Sequence, residues 1–354
     1  MRLVQPVVML HAAKGRVALR ATLNLEGATI AGGELAHGTW GEGFMDRRHP
    51  HTYAHELMVL VGTGPGPVRA AAAFGKGFVP FGTDDPMSRP PLRYPVNHHF
   101  SQILERAVLQ ASMGAGPVTL EVATFNGDEP ERPGQWPNLD RFGDSWAARL
   151  TVMPHAGLET QVSHAQVHSP EHRLGAAGDQ RKWSVSARWE APLGRTPFYG
   201  LLEWARTSEL DDFFVFTSLL VEGAATLGPY QPYMRIERTE RPEEQRLLDP
   251  FRSQRPHIEN SILGITRWTI VTAGYRMPGP TSWGGRLHWW PFFELSLARV
   301  TRVTGTLFEP GSFYGRPMIW SGTLGLRVDA GMLGHRMGRY GVFSASPPST
   351  RHAH

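Results

Sequence analysis

The sequence predicts an all-β fold: an up-and-down antiparallel β-barrel of about 14–16 strands, with long loops on one rim and short turns on the other. Three observations predict it. Apolar and polar residues alternate with period two in segment after segment, whereas long runs with apolar residues at i, i+3, i+4 and i+7 are scarce. The links between these segments are alternately short and long. The polar face of successive segments carries charges of both signs.

The alternation is clearest in four segments. In 16–26, Val17, Leu19, Ala21, Leu23 and Leu25 share one face, and Arg16, Arg20 and Glu26 lie on the other. In 182–190, Trp183, Val185, Ala187 and Trp189 oppose Lys182, Arg188 and Glu190. Val118, Leu120 and Val122 oppose Thr119 and Glu121 in 118–125, and Leu324, Leu326 and Val328 oppose Arg327 and Asp329 in 323–330. Weaker versions run through 55–63, 68–78, 103–113, 145–153, 158–167, 198–206, 214–223, 230–239, 262–275 and 289–302. Short links such as Gly114-Ala115-Gly116-Pro117 and Leu193-Gly194-Arg195-Thr196-Pro197 hold the Gly and Pro that tight turns require. The long polar stretches are 27–54, 79–102, 126–144, 168–181, 207–213 and 240–260.

Composition bounds the function. The 354 residues suit two ordinary domains or one large barrel. Charged residues are 19%, below the usual ~25%, and 39 Gly with 29 Pro mark a turn-rich chain. Eleven Trp, 17 Phe and 8 Tyr exclude a disordered chain. A net charge of +4 with no basic stripe gives no reason to expect a nucleic-acid partner. The absence of Cys excludes a thiol nucleophile, a Cys-ligated metal and disulfides. No run approaches the ~18 apolar residues of a membrane helix, and the apolar run 3–10 is too short and interrupted for a secretory core.

The two faces then decide the surroundings. A soluble sheet buries its apolar face, whereas a membrane barrel turns that face to lipid and its polar face to the lumen. Charges recur on strand after strand, and Trp146, Trp183, Trp189, Trp204, Trp268, Trp289, Trp290 and Trp320 gather near strand ends, where interfacial girdles sit. Both observations predict the inverted arrangement. It makes Arg16, Arg20, Arg149, Lys182, Arg188, Arg235 and Arg327 the cationic wall of the lumen, and Glu121, Glu159, Glu190, Glu203, Glu237 and Glu294 the anionic wall. Facing charges of this kind tune ion selectivity, and 14–16 strands enclose more space than wall side chains fill. Loop 79–102, with Pro86, Pro90, Pro91 and Pro95, is the candidate to fold inward and constrict it.

As an architecture, the whole chain resembles the porin-like β-barrels of the bacterial outer membrane. One local feature adds to this: His335-Arg336-Met337-Gly338-Arg339-Tyr340-Gly341-Val342-Phe343 is similar to the aromatic-ended signal that such barrels present to their assembly machinery. Eleven residues, Ser344 to His354, follow it, which makes the stretch ending near Val328 the alternative signal. The expected organisation is a barrel over 1–343 and a flexible tail over 344–354. The resemblance implies an outer-membrane location, contact with the lipid bilayer and lipopolysaccharide, engagement with the assembly machinery, and passage of ions or small hydrophilic solutes. Such barrels usually have an even number of strands; a count near 15 therefore predicts a further strand and a signal peptide upstream of Met1.

Candidate chemistry is sparse. His49, His51 and His55 are spaced to share a divalent metal, with His98-His99 brought near from the next long loop. The alternative is that they face water or cap turns. Asp84-Asp85 and Asp211-Asp212 resemble the paired acids of omptin-like barrel hydrolases, or else start turns. Gly143-Asp144-Ser145 lacks the setting of a nucleophile elbow. Ser163 and His164 are adjacent on a strand and so point to opposite faces. Gly75-Lys76-Gly77 lacks the spacing of a phosphate loop. No catalytic residue and no cofactor is assigned. The expected function is passive diffusion through a charged lumen. The alternatives are a structural or ligand- and metal-binding barrel acting through its long loops, and an omptin-like hydrolase.

Overall fold

The computed structural model describes residues 6–29, 51–63, 66–92, 94–244, 262–279, 281–282, 287–305, 309–313, 315–330 and 336–341. They form one antiparallel up-and-down sheet of sixteen strands. In chain order these are β1 (Val7–Lys14), β2 (Val17–Asn24), β3 (Ala54–Gly62), β4 (Val68–Gly77), β5 (Arg106–Ala115), β6 (Val118–Phe125), β7 (Ser145–His155) and β8 (Leu158–Val167). The second half has β9 (Gln180–Leu193), β10 (Thr196–Glu209), β11 (Phe214–Ala225), β12 (Gln231–Glu244), β13 (Ile262–Arg276), the two-residue β14 (Thr281–Ser282), β15 (Leu287–Thr304) and β16 (Met318–Ala330). Among the described residues, helix is confined to single turns, and no helix is long and apolar enough to cross a membrane.

Each long strand pairs with its neighbours in sequence. Short hairpins join β1–β2, β5–β6, β7–β8 and β9–β10 on one rim, and Gly116 and Gly194 supply the positive φ that such turns need. The longer links lie on the opposite rim. The link between β10 and β11 departs from expectation. Residues 207–209 extend β10, which leaves only Leu210–Phe213, with Leu210, Asp211 and Asp212 all at positive φ. β1 was hidden in the sequence because four consecutive apolar residues, Val7 to Leu10, obscure its alternation. Among the described residues, no pairing joins β1 to β16; both run from the long-loop rim to the short-turn rim.

The apolar face points outward. Leu23, Val185 and Leu326 are 47%, 45% and 40% exposed, whereas Arg20 and Arg188 on the other face are 9% and 4% exposed. The same parity holds around the sheet. Leu57, Phe74, Leu109, Val122, Leu219, Ile236 and Leu295 are exposed, while Glu121, Arg149, Glu203 and Arg235 are buried. A sheet with charges inside and grease outside has the build of a transmembrane barrel, in which every backbone polar group finds its partner in the ladder. Outward aromatics gather near the long-loop rim, where the His164 ring lies 5.3 Å from Trp146 and 4.3 Å from Trp183. Trp268 departs from the expected girdle: it is buried on the inner face, beside Arg241 and bonded to Thr266 Oγ1.

The interior also holds apolar groups that the sequence did not lead us to expect there. Met58, Leu60 and Phe125 on the wall pack against Phe78, Val79, Phe81, Ile103 and Leu104 of the β4–β5 link and against Met337 and Tyr340. Residues 336–341 therefore form no final strand. β16 ends at Ala330, and the chain re-enters the barrel as a turn. The described part of that motif, Arg336 to Gly341, is thus a lumen filler, and the last strand among the described residues, β16, is the stretch through Val328. Positions 344–354, assigned to a tail, lie outside the described residues.

An arginine placed in the lipid-facing centre of such a barrel costs about 2–4 kcal/mol. Leu219→Arg on β11 is expected to lower the unfolding free energy in vesicles by about that amount, read from urea titration of the folded fraction. In a soluble sheet the same exposed position would tolerate the change.

Candidate functional site

The inward loop, residues 78–105, is the centre of the site. It leaves β4 at the long-loop rim and runs into the barrel, with Phe81, Asp84, Asp85, Arg89, Asn97 and Ser101 almost fully buried. Gly82 permits the fold: it has φ +69°, and a Cβ there would overlap the carbonyl oxygen of Ser101. Asp85 caps the turn Pro86–Ser88 by accepting from Met87 N at 2.8 Å. The prolines that marked this stretch in the sequence help to hold it in non-ladder conformations.

The loop reaches the wall on many strands at once. Gly82 N donates to Ser163 Oγ on β8 (2.9 Å), and Arg149 of β7 donates to Gly82 O (3.1 Å). Asp84 accepts Arg188 of β9 on both oxygens, at 2.7 and 2.6 Å. Arg89 lies 3.4 Å from Glu203 of β10 and 3.8 Å from Glu222 of β11. Asn97 donates to Glu203 (2.8 Å), and Val96 N donates to Glu237 of β12 (2.8 Å). Arg188 lies near the short-turn end of β9, so the loop penetrates past the middle of the barrel. Burial alone would raise the Asp84 carboxyl, but Arg188, Arg336 and Arg89 hold it well below the usual carboxylate range.

A second segment meets the loop from the other side. Arg336 binds Glu159 and Asp84; Arg339 binds Glu159 and Thr151; Tyr340 Oη accepts from Phe78 N; and Gly341 N donates to Glu121. Arg20 donates to Arg339 O and lies over the Tyr340 ring. Glu121 and Arg149, opposite one another on β6 and β7, form a fork of 2.6 and 2.9 Å.

Of the wall residues picked from the sequence, Arg20, Glu121, Arg149, Glu159, Lys182, Arg188, Glu203, Arg235, Glu237 and Glu294 all point inward and are buried. Arg327 points inward but stays half-buried, paired with Asp329 at 2.9 Å, and Glu190, toward the short-turn end of β9, is exposed and paired with Arg188 at 2.7 Å. Arg16 does not belong to the lumen: it sits in the β1–β2 turn, exposed to solvent, because the strand begins one residue later. Sequence reasoning did not assign Asp84, Arg89, Arg336 and Arg339 as lumen charges, although loop 79–102 was the candidate to fold inward. None lies on a strand, so period-two patterning carries no signal for them.

The histidines converge only in part. His51 lies 5.0 Å from His55 and 5.3 Å from His98, ring centre to ring centre. Each has its own carboxylate: Glu26 at 3.0 Å from His51, Glu105 at 2.5 Å from His55 and Asp85 at 3.8 Å from His98. Among the described residues, no group of three His, Asp or Glu side chains is disposed to hold a metal ion. His49 and the His99 side chain lie outside the described residues. The acidic pairs have separate settings. Asp84-Asp85 sits in the lumen, whereas Asp212 binds the exposed Arg181 and the half-buried Arg206 on the long-loop rim.

No protein-family model and no curated protein matches the chain. Solved structures similar in outline include a loop-deletion form of OmpT, an outer-membrane protein of Vibrio cholerae (10% identity, covering 91% of this chain and 89% of that one, TM-score 0.47). OccK3 of Pseudomonas aeruginosa is also similar (12%, 89% and 82%, TM-score 0.43), as is an anion-selective porin from Comamonas acidovorans (9%, 80% and 91%, TM-score 0.42).

Burial pulls the His51 imidazole down, but the Glu26 carboxylate beside it outweighs this and raises it to about 9. A group raised above its ordinary ~6.5 contributes its full stability below that value and loses it as pH rises through the folded value. Thermal stability is therefore expected to decline between pH 7 and pH 10, and His51→Gln to flatten that decline, as followed by circular dichroism in detergent.

Proposed function

We propose that the chain is a channel of the bacterial outer membrane, admitting ions or small hydrophilic solutes through a lumen that its own loop and residues 336–341 hold narrow. The single observation that carries this reading is the pairing of an apolar outer face with an ionised inner one. The long loops face the cell exterior and its lipopolysaccharide, and the apolar belt contacts lipid acyl chains. The pathway runs beside β16. There the inward side chains Ser321, Thr323, Arg327 and Asp329 are only half-buried, while the wall from β5 to β12 is covered. Charges of both signs on this path favour small charged solutes over apolar ones. The reading requires no chemical step and no cofactor.

A second reading has support from another feature. Leu139, Leu174 and Phe213 are 71%, 83% and 76% exposed on the outer loops, an unusual display for segments in water. They suit a barrel that binds a partner at its outer rim and conducts little.

Reconstitution in planar bilayers separates the two. The channel reading expects stepwise ionic conductance from folded protein. Folded protein that stays silent over a range of voltages and salts would leave the partner-binding barrel.

A further inference from the structure

Among the described residues, Glu159 on β8 has two cationic partners, and both come from one short segment. Arg336 grips it as a fork, Nη1 to Oε2 at 2.8 Å and Nη2 to Oε1 at 3.0 Å, and Nη2 also reaches Asp84 Oδ1 at 3.0 Å. Arg339 Nη2 lies 2.8 Å from Glu159 Oε1. The residue directly opposite Glu159 in the sheet is Arg188, which has the right charge and register to pair with it. Arg188 is already engaged, with both oxygens of Asp84 at 2.6 and 2.7 Å and with Glu190 at 2.7 Å. The wall and the inward loop therefore present two converging carboxylates whose remaining lone pairs are met by a planar, forked cation.

From this we propose that Glu159 and Asp84 form a guanidinium-binding site in the lumen, filled in this structure by the chain's own Arg336, and that a small guanidinium-bearing solute takes the same place when residues 336–341 withdraw. The segment can leave without breaking the sheet. It forms no ladder with the sheet and is held by side chains and a few backbone contacts. Arg339 is a poorly matched occupant. Burial, with Arg149 and Arg336 close by, lowers its guanidinium to about 10, and its Nε and Nη1 have no hydrogen-bond partner among the described residues. The site is also suited to refilling. Once the segment leaves, Asp84 retains Arg188, whereas Glu159 has lost Arg336 and Arg339 and is the carboxylate left open to a new cation. An ammonium ion brings charge without the fork, so it is the weaker replacement.

The proposal deepens the channel reading by naming a solute class, yet it is read without conductance. Full-length protein folded in lipid nanodiscs is titrated calorimetrically with agmatine, which carries one guanidinium and one ammonium group, and with cadaverine, which carries two ammonium groups. The double variant R336Q/R339Q is expected to bind agmatine at least about tenfold more tightly than the unaltered chain does, and about tenfold more tightly than it binds cadaverine. Adding E159Q is expected to abolish the gain. Equal affinity for the two amines, or a gain that survives E159Q, overturns the site. The comparison of the two amines needs only the double variant, so it decides the question even where E159Q fails to fold. Silent bilayers with selective agmatine binding would overturn the channel and leave the site standing; conductance without that selectivity would do the reverse.

Discussion

An ionised side chain removed from water costs several kcal/mol unless other charges and hydrogen bonds replace its hydration. That constraint governs the inside of this barrel. Ten of the wall charges chosen from the sequence are buried, with Glu222 and others beside them, so each must be met within the lumen. Neighbouring strands meet part of the demand directly, as Glu121 and Arg149 do, and as Glu222 and Arg235 do at 2.7 Å. The rest is met by chain that is not wall at all. Asp84 and Arg89 come from the loop after β4, and Arg336 and Arg339 from beyond β16. The filling of the lumen and the charge of its wall are thus one property. A wall of this composition requires either water or a complementary insert, and here much of it has an insert.

The arrangement has a consequence for motion. Strand pairing fixes the wall, since each strand shares a ladder with its neighbours, but the inserts are tied by side chains. Charge-assisted bonds in a closed interior are strong while water is excluded and weaken once it enters. Opening should therefore be cooperative: admitting water to one ion pair lowers the cost of breaking the next. The half-buried side of β16 is where water already reaches.

Much of the architecture was legible from the residues. Val185 and Arg188 fall on opposite faces of one strand by parity alone, and the same rule placed ten of thirteen chosen charges in the buried interior. Parity failed where local chemistry intervened. Arg16 lies in a turn, and Trp268 turns inward to stack beside Arg241. The long, proline-rich stretch 79–102 was the candidate to fold inward, and it does. What it would touch was not recognisable, because Asp84 and Arg188 are 104 residues apart and no periodicity links them. Of the two terminal stretches that the sequence offered, the one around Tyr340 is no strand over its described residues, for a related reason. Its aromatics match a strand-terminal motif, yet glycines at 338 and 341 let it turn and pack inside, where Gly338 adopts φ +80°.

The account stands or falls on which face of the sheet meets lipid, and β9 offers the most direct measurement. The chain contains no Cys, so single spin labels can be introduced by Ser184→Cys, Val185→Cys, Ser186→Cys and Ala187→Cys and examined in vesicles. The account predicts period-two alternation: labels at 185 and 187 relaxed by oxygen dissolved in the bilayer, and labels at 184 and 186 shielded from it. Labels at 185 and 187 relaxed instead by a water-soluble nickel chelate would contradict it.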